Sequence, residues 1–599
     1  MNLHVNPFVV HLNRYTTVSP EHEAAFDEFL SQELASTTEI QPLRIETKTE
    51  QFIRQQFQQI QPPCIILTGN AGDGKTYLCR QIIKDFTGED ITQWPPEVIQ
   101  RVKRGDLTLN VVKDLSEVGE DAGVKILEQL NTVLLQEETQ DVFLIAANEG
   151  RLRALLSQGK LSDLHRQVDK QLREEPALNQ PQLLVLNLNQ VTTSSYVQQT
   201  IAWLTQKEYW KHCQECPTSR TCPIYFNAGQ LSNDFVVSRL KFLYQILEHL
   251  GVHLTIRDML IHLVYTVTGG LNCQIIAERN GQAEWKDQRH FYVYYENVWG
   301  ETADEIFQRK ILATRYLRRL DVGNVSVFNV DDFIINGSLD EETQKVYDDL
   351  LGERLDLGEK LFSQRRFEYL HGGVTSPKPE EEHPLIAWLP HCRRKLFFEW
   401  ENKDETNRLL SFAHLPEYFR LIEGDTIMLE RCRKNLILGL NRSFSGLFLS
   451  EDNNAHLYVT SQYAHAVEQP VPIIRTRISA SDIELILIDE TSEVFDRNFT
   501  KLVLDIPPPT RVRDADPKKW SLGLLTFEYL MRRACGGTSN VLATECELKI
   551  RRLKDELLQD FAQQESDPDH IFFFGAHKNR YVLQDLRINE GKIQTSGSK

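Results

Sequence analysis

The chain predicts an α/β protein built on a parallel sheet, and three observations predict it. The first is Gly69-Asn70-Ala71-Gly72-Asp73-Gly74-Lys75-Thr76, which matches the phosphate-binding pattern G-x-x-x-x-G-K-[ST]. The second is its setting. Cys64-Ile65-Ile66-Leu67 precedes it as a short buried strand, and Tyr77 to Ile83 follows with helical spacing. The third is alternation downstream: Leu107 to Val112, Val142 to Ala147 and Leu183 to Leu188 read as strands with helical segments between them. Average composition yields the glycine motif by chance about 0.01 times in such a chain, so the strand–loop–helix context makes it a specific signal.

Taken in order, residues 1–60 read as an N-terminal helical segment, with helices over Glu21 to Leu34 and Glu46 to Ile60. Gln61-Pro62-Pro63 breaks the second helix and leads into the first strand. Residues 61–275 form the nucleotide-binding core with its lid, where helices are expected over Phe235 to Leu250 and Arg257 to Thr268. Thr255 is placed to N-cap the lid helix. Residues 276–430 read as mainly helical, with a surface loop from Val374 to Pro384. Residues 431–599 read as an α+β accessory domain. Its expected strands are Leu436 to Leu440, His456 to Thr460, Val471 to Arg475, Glu484 to Ile488, Lys501 to Ile506, His570 to Phe574 and Tyr581 to Asn589. Its expected helices are Trp520 to Arg533 and Cys546 to Phe561.

Composition sets bounds on function. A chain of 599 residues with 41% hydrophobic and 25% charged residues is ordinary for a soluble multidomain protein. No apolar run reads as a membrane span, and Met1-Asn2-Leu3-His4-Val5 does not begin a secretory signal, so a cytoplasmic location is the expectation. The formal net charge of -18 argues against wrapping nucleic acid by bulk charge. Arg393-Arg394-Lys395 and Arg551-Arg552 remain as local basic clusters, each either a DNA contact or a solvated face. No arrangement of carboxylates with lysine points to a nuclease; Glu547-Leu548-Lys549 sits in an expected helix without an aspartate partner.

The loop chemistry is concrete. Backbone N–H groups of Gly69, Asn70, Ala71, Gly72, Asp73 and Gly74 can turn inward around the phosphates of ATP. Lys75 can reach the β- and γ-phosphates, Thr76 can ligate Mg²⁺, and the helix N-terminus adds its positive end. Hydrolysis also needs an acid for Mg²⁺ and a group that positions water. Two placements satisfy this. In the favoured one, Leu107 to Val112 is the acidic strand, Asp114 holds Mg²⁺ with Glu117 nearby, and Asn148 is the polar sensor at the next strand tip. In the other, Asn148-Glu149 occupies the usual Asp-Glu position, Glu149 polarises water, and Asn187 is the sensor. Asp114 also suits a plain helix cap, and Asn148-Glu149 a plain strand-end turn. Ile486-Leu487-Ile488-Asp489-Glu490 resembles an acidic strand end, but no glycine loop precedes it in its domain, so it reads as an ordinary strand.

Cys213, Cys216 and Cys222 follow C-x₂-C-x₅-C spacing, which suits a tetrahedral Zn²⁺ knuckle. His212 or Cys273 could supply the fourth ligand, Cys273 being favoured; free thiols in a loop are the competing reading. A redox pair is disfavoured because no thioredoxin-like unit surrounds the motif.

Several strings act in combination: NAGDGKT at 70–76, VVKDLSE at 111–117, AANEGRL at 146–152, LNLN at 186–189, the C-x₂-C with its trailing Cys222-Pro223-Ile224, TIRDML at 255–260, TGGLNC at 268–273 and GLNRSFSG at 439–446. Together they resemble the DptF-type ATPases of bacterial phosphorothioation-dependent DNA restriction, over most of residues 60–450; related AAA+ or STAND-type antiphage ATPases share such strings. The resemblance implies an ATPase subunit of a defence system that attacks DNA lacking a protective sulfur modification, with DNA contacted through partner subunits. A homo-oligomer is compatible with it. It also implies that Arg257, opening the lid helix, reaches the γ-phosphate, and that a neighbouring subunit supplies an arginine finger, for which Arg318 and Arg319 are candidates. The departure from an Asp-Glu pair puts the catalytic glutamate, and so the turnover rate, in question. A reading from another class is therefore an ATP-binding signalling or scaffold protein with little hydrolysis.

Overall fold

A computed structural model describes residues 5–17, 40–89, 91, 94–136, 139–159, 161–173, 182–303, 305, 308, 311–352, 355–358, 360–372, 383–461, 473–508, 517–537, 543–562, 570–578, 580–589 and 592–597. The helix expected over Glu21 to Leu34 and most of the loop expected at 374–384 lie outside the described residues. The chain forms two units, one of residues 1–248, 252–410 and 491–498, the other of 249–251, 411–490 and 499–599.

The first unit carries a five-stranded sheet of β1 (Cys64–Thr68), β2 (Gln100–Arg104), β3 (Leu107–Val112), β4 (Asp141–Ala147) and β5 (Leu183–Asn187). Their order across the sheet is β2-β3-β4-β1-β5. β1 pairs in parallel with both β4 and β5, and β3 pairs in parallel with β4. The sheet is mixed rather than all-parallel, because β2 turns back through Gly105 (φ 61°) and pairs antiparallel to β3. β2, Gln-Arg-Val-Lys-Arg, is half-exposed and polar and so lacks the apolar signature of its neighbours. The other strands are covered on both faces. Ile65, Ile66 and Leu67 are fully buried, each contributing about 1.5–3 kcal/mol. Helices Lys75–Thr87, Glu120–Leu134, Glu149–Gln158 and Ser162–Arg173 join the same core with Leu78, Ile82, Leu127, Leu155 and Val168. Val494 and Phe495, from the returning segment 491–498, are buried there too.

The remainder of the first unit is helical. Asp234–His249 and Ile256–Thr268 match the expected helices to within a residue or two. The helical run Ile256–Arg279 is long and apolar enough to cross a membrane by length and composition, contrary to the sequence reading, but 67% of its most apolar window is buried inside the protein. It is also interrupted at Gly269, which ends the first helix in the left-handed conformation (φ 57°).

In the second unit, His456–Thr460, Ile473–Ser479, His570–His577, Arg580–Asn589 and Lys592–Gly597 form one sheet, and Glu484–Thr491, Asn498–Ile506 and Lys518–Leu522 a second of three strands. The expected strand Leu436 to Leu440 is instead part of helix Thr426–Ser445. An all-apolar run has no period to distinguish strand from helix, and here all five residues are buried. A Cβ on Gly439 would stand 2.3 Å from the carbonyl oxygen of Leu530, so the glycine allows close contact with helix Leu524–Ala534. That helix starts at Leu524 rather than Trp520, whose residue lies in the strand Lys518–Leu522. Asp489 and Glu490 belong to the three-stranded sheet, where Asp489 accepts a hydrogen bond from Thr500 Oγ1 at 2.8 Å and Glu490 pairs with Lys501.

Candidate nucleotide site

β1 ends at Thr68, and the chain then turns through Gly69 (φ 150°), Gly72 (φ 99°) and Gly74 (φ 88°) before helix Lys75–Thr87 begins. Two of these glycines are sterically required. A Cβ at Gly69 would lie 2.8 Å from Asp73 Oδ2, and one at Gly72 would lie 2.7 Å from Thr255 Oγ1 and 2.9 Å from Arg257 Cβ. Gly74 is the helix N-cap, so no side chain competes for the N–H groups of the first turn. Lys75 lies at this helix start, its Nζ donating to the carbonyls of Asn70 (2.7 Å) and Gly69 (3.2 Å). Thr76, next along, is buried.

The loop is held from three directions. Asp73 Oδ2 accepts the Asn70 N–H at 2.6 Å, and Asp73 Oδ1 stands 3.0 Å from His253 Nε2. Burial lowers the His253 pKa, but the hydrogen bond and charge of Asp73, with Asp258 and Glu248, outweigh it and leave the imidazole above its usual value. The Arg257 N–H donates to the Gly72 carbonyl at 3.2 Å, which seats the start of helix Ile256–Thr268 against the loop. Thr255 N-caps that helix in a reciprocal capping box with Asp258. Asn189 Oδ1 accepts the Asn70 N–H at 3.1 Å.

The neighbouring strand tips complete the geometry. In the sheet register Thr68 stands beside Ala147 on one side and Asn187 on the other. Asn148 therefore follows at the level of Gly69, and β4 separates β1 from β3, whose end leads to Asp114. Asp114 is largely buried and accepts the Ser116 N–H at 2.8 Å; Ser116 Oγ accepts the Asn148 N–H at 3.2 Å. Asp114 and Asn148 are thus linked through one serine. Each also caps a helical turn, Asn148 accepting from Gly150 N–H at 3.0 Å. Glu149 opens helix Glu149–Gln158 and pairs with Arg153 at 3.1 Å.

These residues fit a phosphate chain with its magnesium ion. Left-handed glycines, a glycine-capped helix N-terminus and a buried lysine converge at the carboxyl end of a central parallel strand, where open α/β sheets bind ligands. Sequence reasoning missed Asn189 and the Asp73–His253 pair. Of the two asparagines in Leu186-Asn187-Leu188-Asn189, the first caps its own turn, accepting Asn189 N–H at 3.1 Å, and the second reaches the loop. His253 carries no motif; only the fold brings it to Asp73.

Arg318 and Arg319 lie exposed on a turn at 318–320, with Arg318 bonded to Gln308 at 2.5 Å. Arg393-Arg394-Lys395 is no surface cluster. All three are buried on helix Leu389–Glu399. Arg393 pairs with Asp331 (2.7 Å), Arg394 with Glu296, Glu301 and Asp321, and Lys395 with Asp356 (2.9 Å) and Glu399 (2.6 Å). Arg551 and Arg552 are exposed, and Arg552 pairs with Glu556 at 2.9 Å.

The fold brings Cys213, Cys216, Cys222 and Cys273 to one cavity of about 410 Å³, lined also by His212 and Asn6. All four are free thiols. Burial pushes the Cys213 thiol up to about 11 and that of Cys222 up to about 12, and raises Cys273 as well. As placed, no three His, Cys, Asp or Glu side chains among the described residues converge on one metal position.

Comparison with known proteins gives no match to a family model, a curated protein or a solved structure.

Proposed function

We propose that the protein binds and hydrolyses ATP as one component of a multi-subunit bacterial antiphage system that restricts DNA lacking phosphorothioate modification. The ATPase part rests on one observation: the motif Gly69–Thr76 lies at the end of β1, with Asn148 and the turn holding Asp114 at the ends of the next two strands. The restriction part rests on the combined motif strings and on nothing in the geometry.

In this reading the loop N–H groups and Lys75 hold the phosphates, Lys75 leaving the carbonyls of Gly69 and Asn70 to do so. Thr76 and Asp114 would hold the magnesium ion, which supplies charge neutralisation on the β- and γ-phosphates. Asn148 orients the attacking water and Glu149 assists in taking its proton. Arg257, at the start of the helix seated on Gly72, would reach the γ-phosphate, a role carried over from the family resemblance. The strand order supports Asp114 as the metal-binding acid, because β4 lies between β1 and β3 and ends in Asn148, the polar group expected at that strand tip. DNA contact is assigned to partner subunits: the chain is acidic, and one of its two basic clusters is consumed in internal ion pairs.

A second reading, an ATP-binding switch with little hydrolysis, is favoured by the pairing of Glu149 with Arg153, which holds the carboxylate along its own helix. Steady-state ATPase with and without DNA and partner subunits separates the two. Turnover that DNA and partners stimulate supports the motor. Tight ATP binding with negligible turnover under every condition supports the switch.

A further inference from the structure

The four cysteines that share one cavity come from three separate segments, and they are not a by-product of one loop. Cys213 and Cys216 flank a tight turn closed by the Cys216 N–H on the Cys213 carbonyl at 3.3 Å. Cys222 precedes Pro223 at the start of helix Pro223–Gln230, and Cys273 opens helix Cys273–Arg279. Cys273 lies close enough to Cys213, Cys216 and Cys222 for electrostatic coupling with each. His212 lines the same cavity.

A second, independent observation concerns what points at the sulfurs. Asn6 Nδ2 donates to Cys213 Sγ at 3.1 Å, and the Asn6 backbone N–H donates to Cys273. The N–H groups of Ile224 and Tyr225 donate to Cys222, and Thr218 Oγ1 stands 3.2 Å from Cys216 Sγ. Neutral thiols are weak acceptors, and a cluster of them has little use for so many donors. Thiolates ligating a metal do: outer N–H donors offset the excess negative charge and fix ligand orientation.

We propose that Cys213, Cys216, Cys222 and Cys273 bind one zinc ion as a closed tetrathiolate site, with Asn6 as its outer donor. Four cysteine ligands leave no open position, so the site is structural. Closing it requires the four sulfurs to draw together within the cavity they already line. Through Asn6, which also donates to the Tyr209 carbonyl at 2.9 Å and accepts the Phe8 N–H at 2.8 Å, the site fixes the start of the N-terminal helix Pro7–Thr17. The site is independent of the nucleotide reading and stands or falls without it.

The test is elemental analysis of the full chain purified without a histidine tag, alongside His212→Ala and Cys273→Ser. The site predicts about one zinc per chain in the wild type and in His212→Ala, and loss of the metal in Cys273→Ser. Should Cys273→Ser fail to fold, cobalt substitution of the wild type reads the same claim, since four thiolates give strong sulfur-to-cobalt charge-transfer absorption and a tetrahedral visible band. Folded wild type with four reactive thiols and no metal overturns the proposal, as does a disulfide among them. Iron in place of zinc, or metal lost in His212→Ala and kept in Cys273→Ser, overturns it equally.

Discussion

Two sets of buried cations, the cluster Arg393-Arg394-Lys395 and the single Lys75 of the glycine loop, differ in what surrounds them. On helix Leu389–Glu399, Arg394 meets Glu296, Glu301 and Asp321 from distant segments, and Lys395 meets the distant Asp356 and, one turn along its own helix, Glu399. Burial raises the Glu296 carboxyl, but His391 and Arg394 outweigh it and hold the group below its usual range. At the glycine loop, Lys75 is equally buried, yet its ammonium rests on the carbonyls of Gly69 and Asn70, next to a helix N-terminus that adds more positive potential. The first cluster is a finished ion-pair network. At Lys75 the contacts are to backbone carbonyls beside a helix N-terminus, the setting on which the proposed phosphate binding rests. A run of basic residues therefore says little about ligand binding until the carboxylates that fold against it are known.

The largest expected effect breaks the network. Arg394→Ala leaves Glu296 and Asp321 buried without their guanidinium and should cost about 3–5 kcal/mol of stability, read by denaturant unfolding. ATP affinity per folded molecule should stay unchanged. A loss under about 1 kcal/mol, the range of an exposed pair, would show that the network is solvated after all.

Next comes turnover, which sharpens the loop side of the comparison. Asp114→Ala and Glu149→Gln should each slow steady-state hydrolysis by about 10²-fold or more, and only Glu149→Gln should retain tight ATP binding. Normal hydrolysis by Asp114→Ala would transfer the metal-binding role to the Asn148-Glu149 pair.

The smallest effect is a pH dependence at the loop. The His253 pKa is raised in the folded chain by Asp73, Asp258 and Glu248 against the opposing burial. Its stabilisation is therefore fully present below the unfolded value of about 6.5 and is lost as pH rises through the folded value. The stability difference between wild type and His253→Ala should be greatest in mild acid and should shrink through neutral pH upward. A difference that stays constant across that range would mean the Asp73 contact does not depend on the imidazole's charge.

Much of the five-stranded sheet of the first unit was legible because its parallel strands are buried on both faces and read as unbroken apolar runs; β1, β3, β4 and β5 fall within a residue or so of expectation. β2 was not legible, since a half-exposed hairpin strand of Gln, Arg and Lys carries no such run. The helix through Leu436–Leu440 was misread for the opposite reason, an excess of apolar residues with no period. At the site, the glycines and Lys75 announce themselves by spacing. Asn189 and His253 do not, because their roles depend on where a strand tip and a loop 180 residues from Asp73 come to rest. Arg393-Arg394-Lys395 shows the same limit in reverse: their partner carboxylates lie up to 98 positions away along the chain.

The central claim is tested most directly by equilibrium binding of labelled ATP, with magnesium, to the full chain and to Lys75→Ala, each shown to be folded by its unfolding transition. The account predicts saturable, magnesium-dependent binding by the wild type in about the 1 μM–1 mM range. It predicts a loss of about 2–5 kcal/mol of that affinity in Lys75→Ala, with little change in the unfolding midpoint. Equal affinity in the two folded proteins would contradict it.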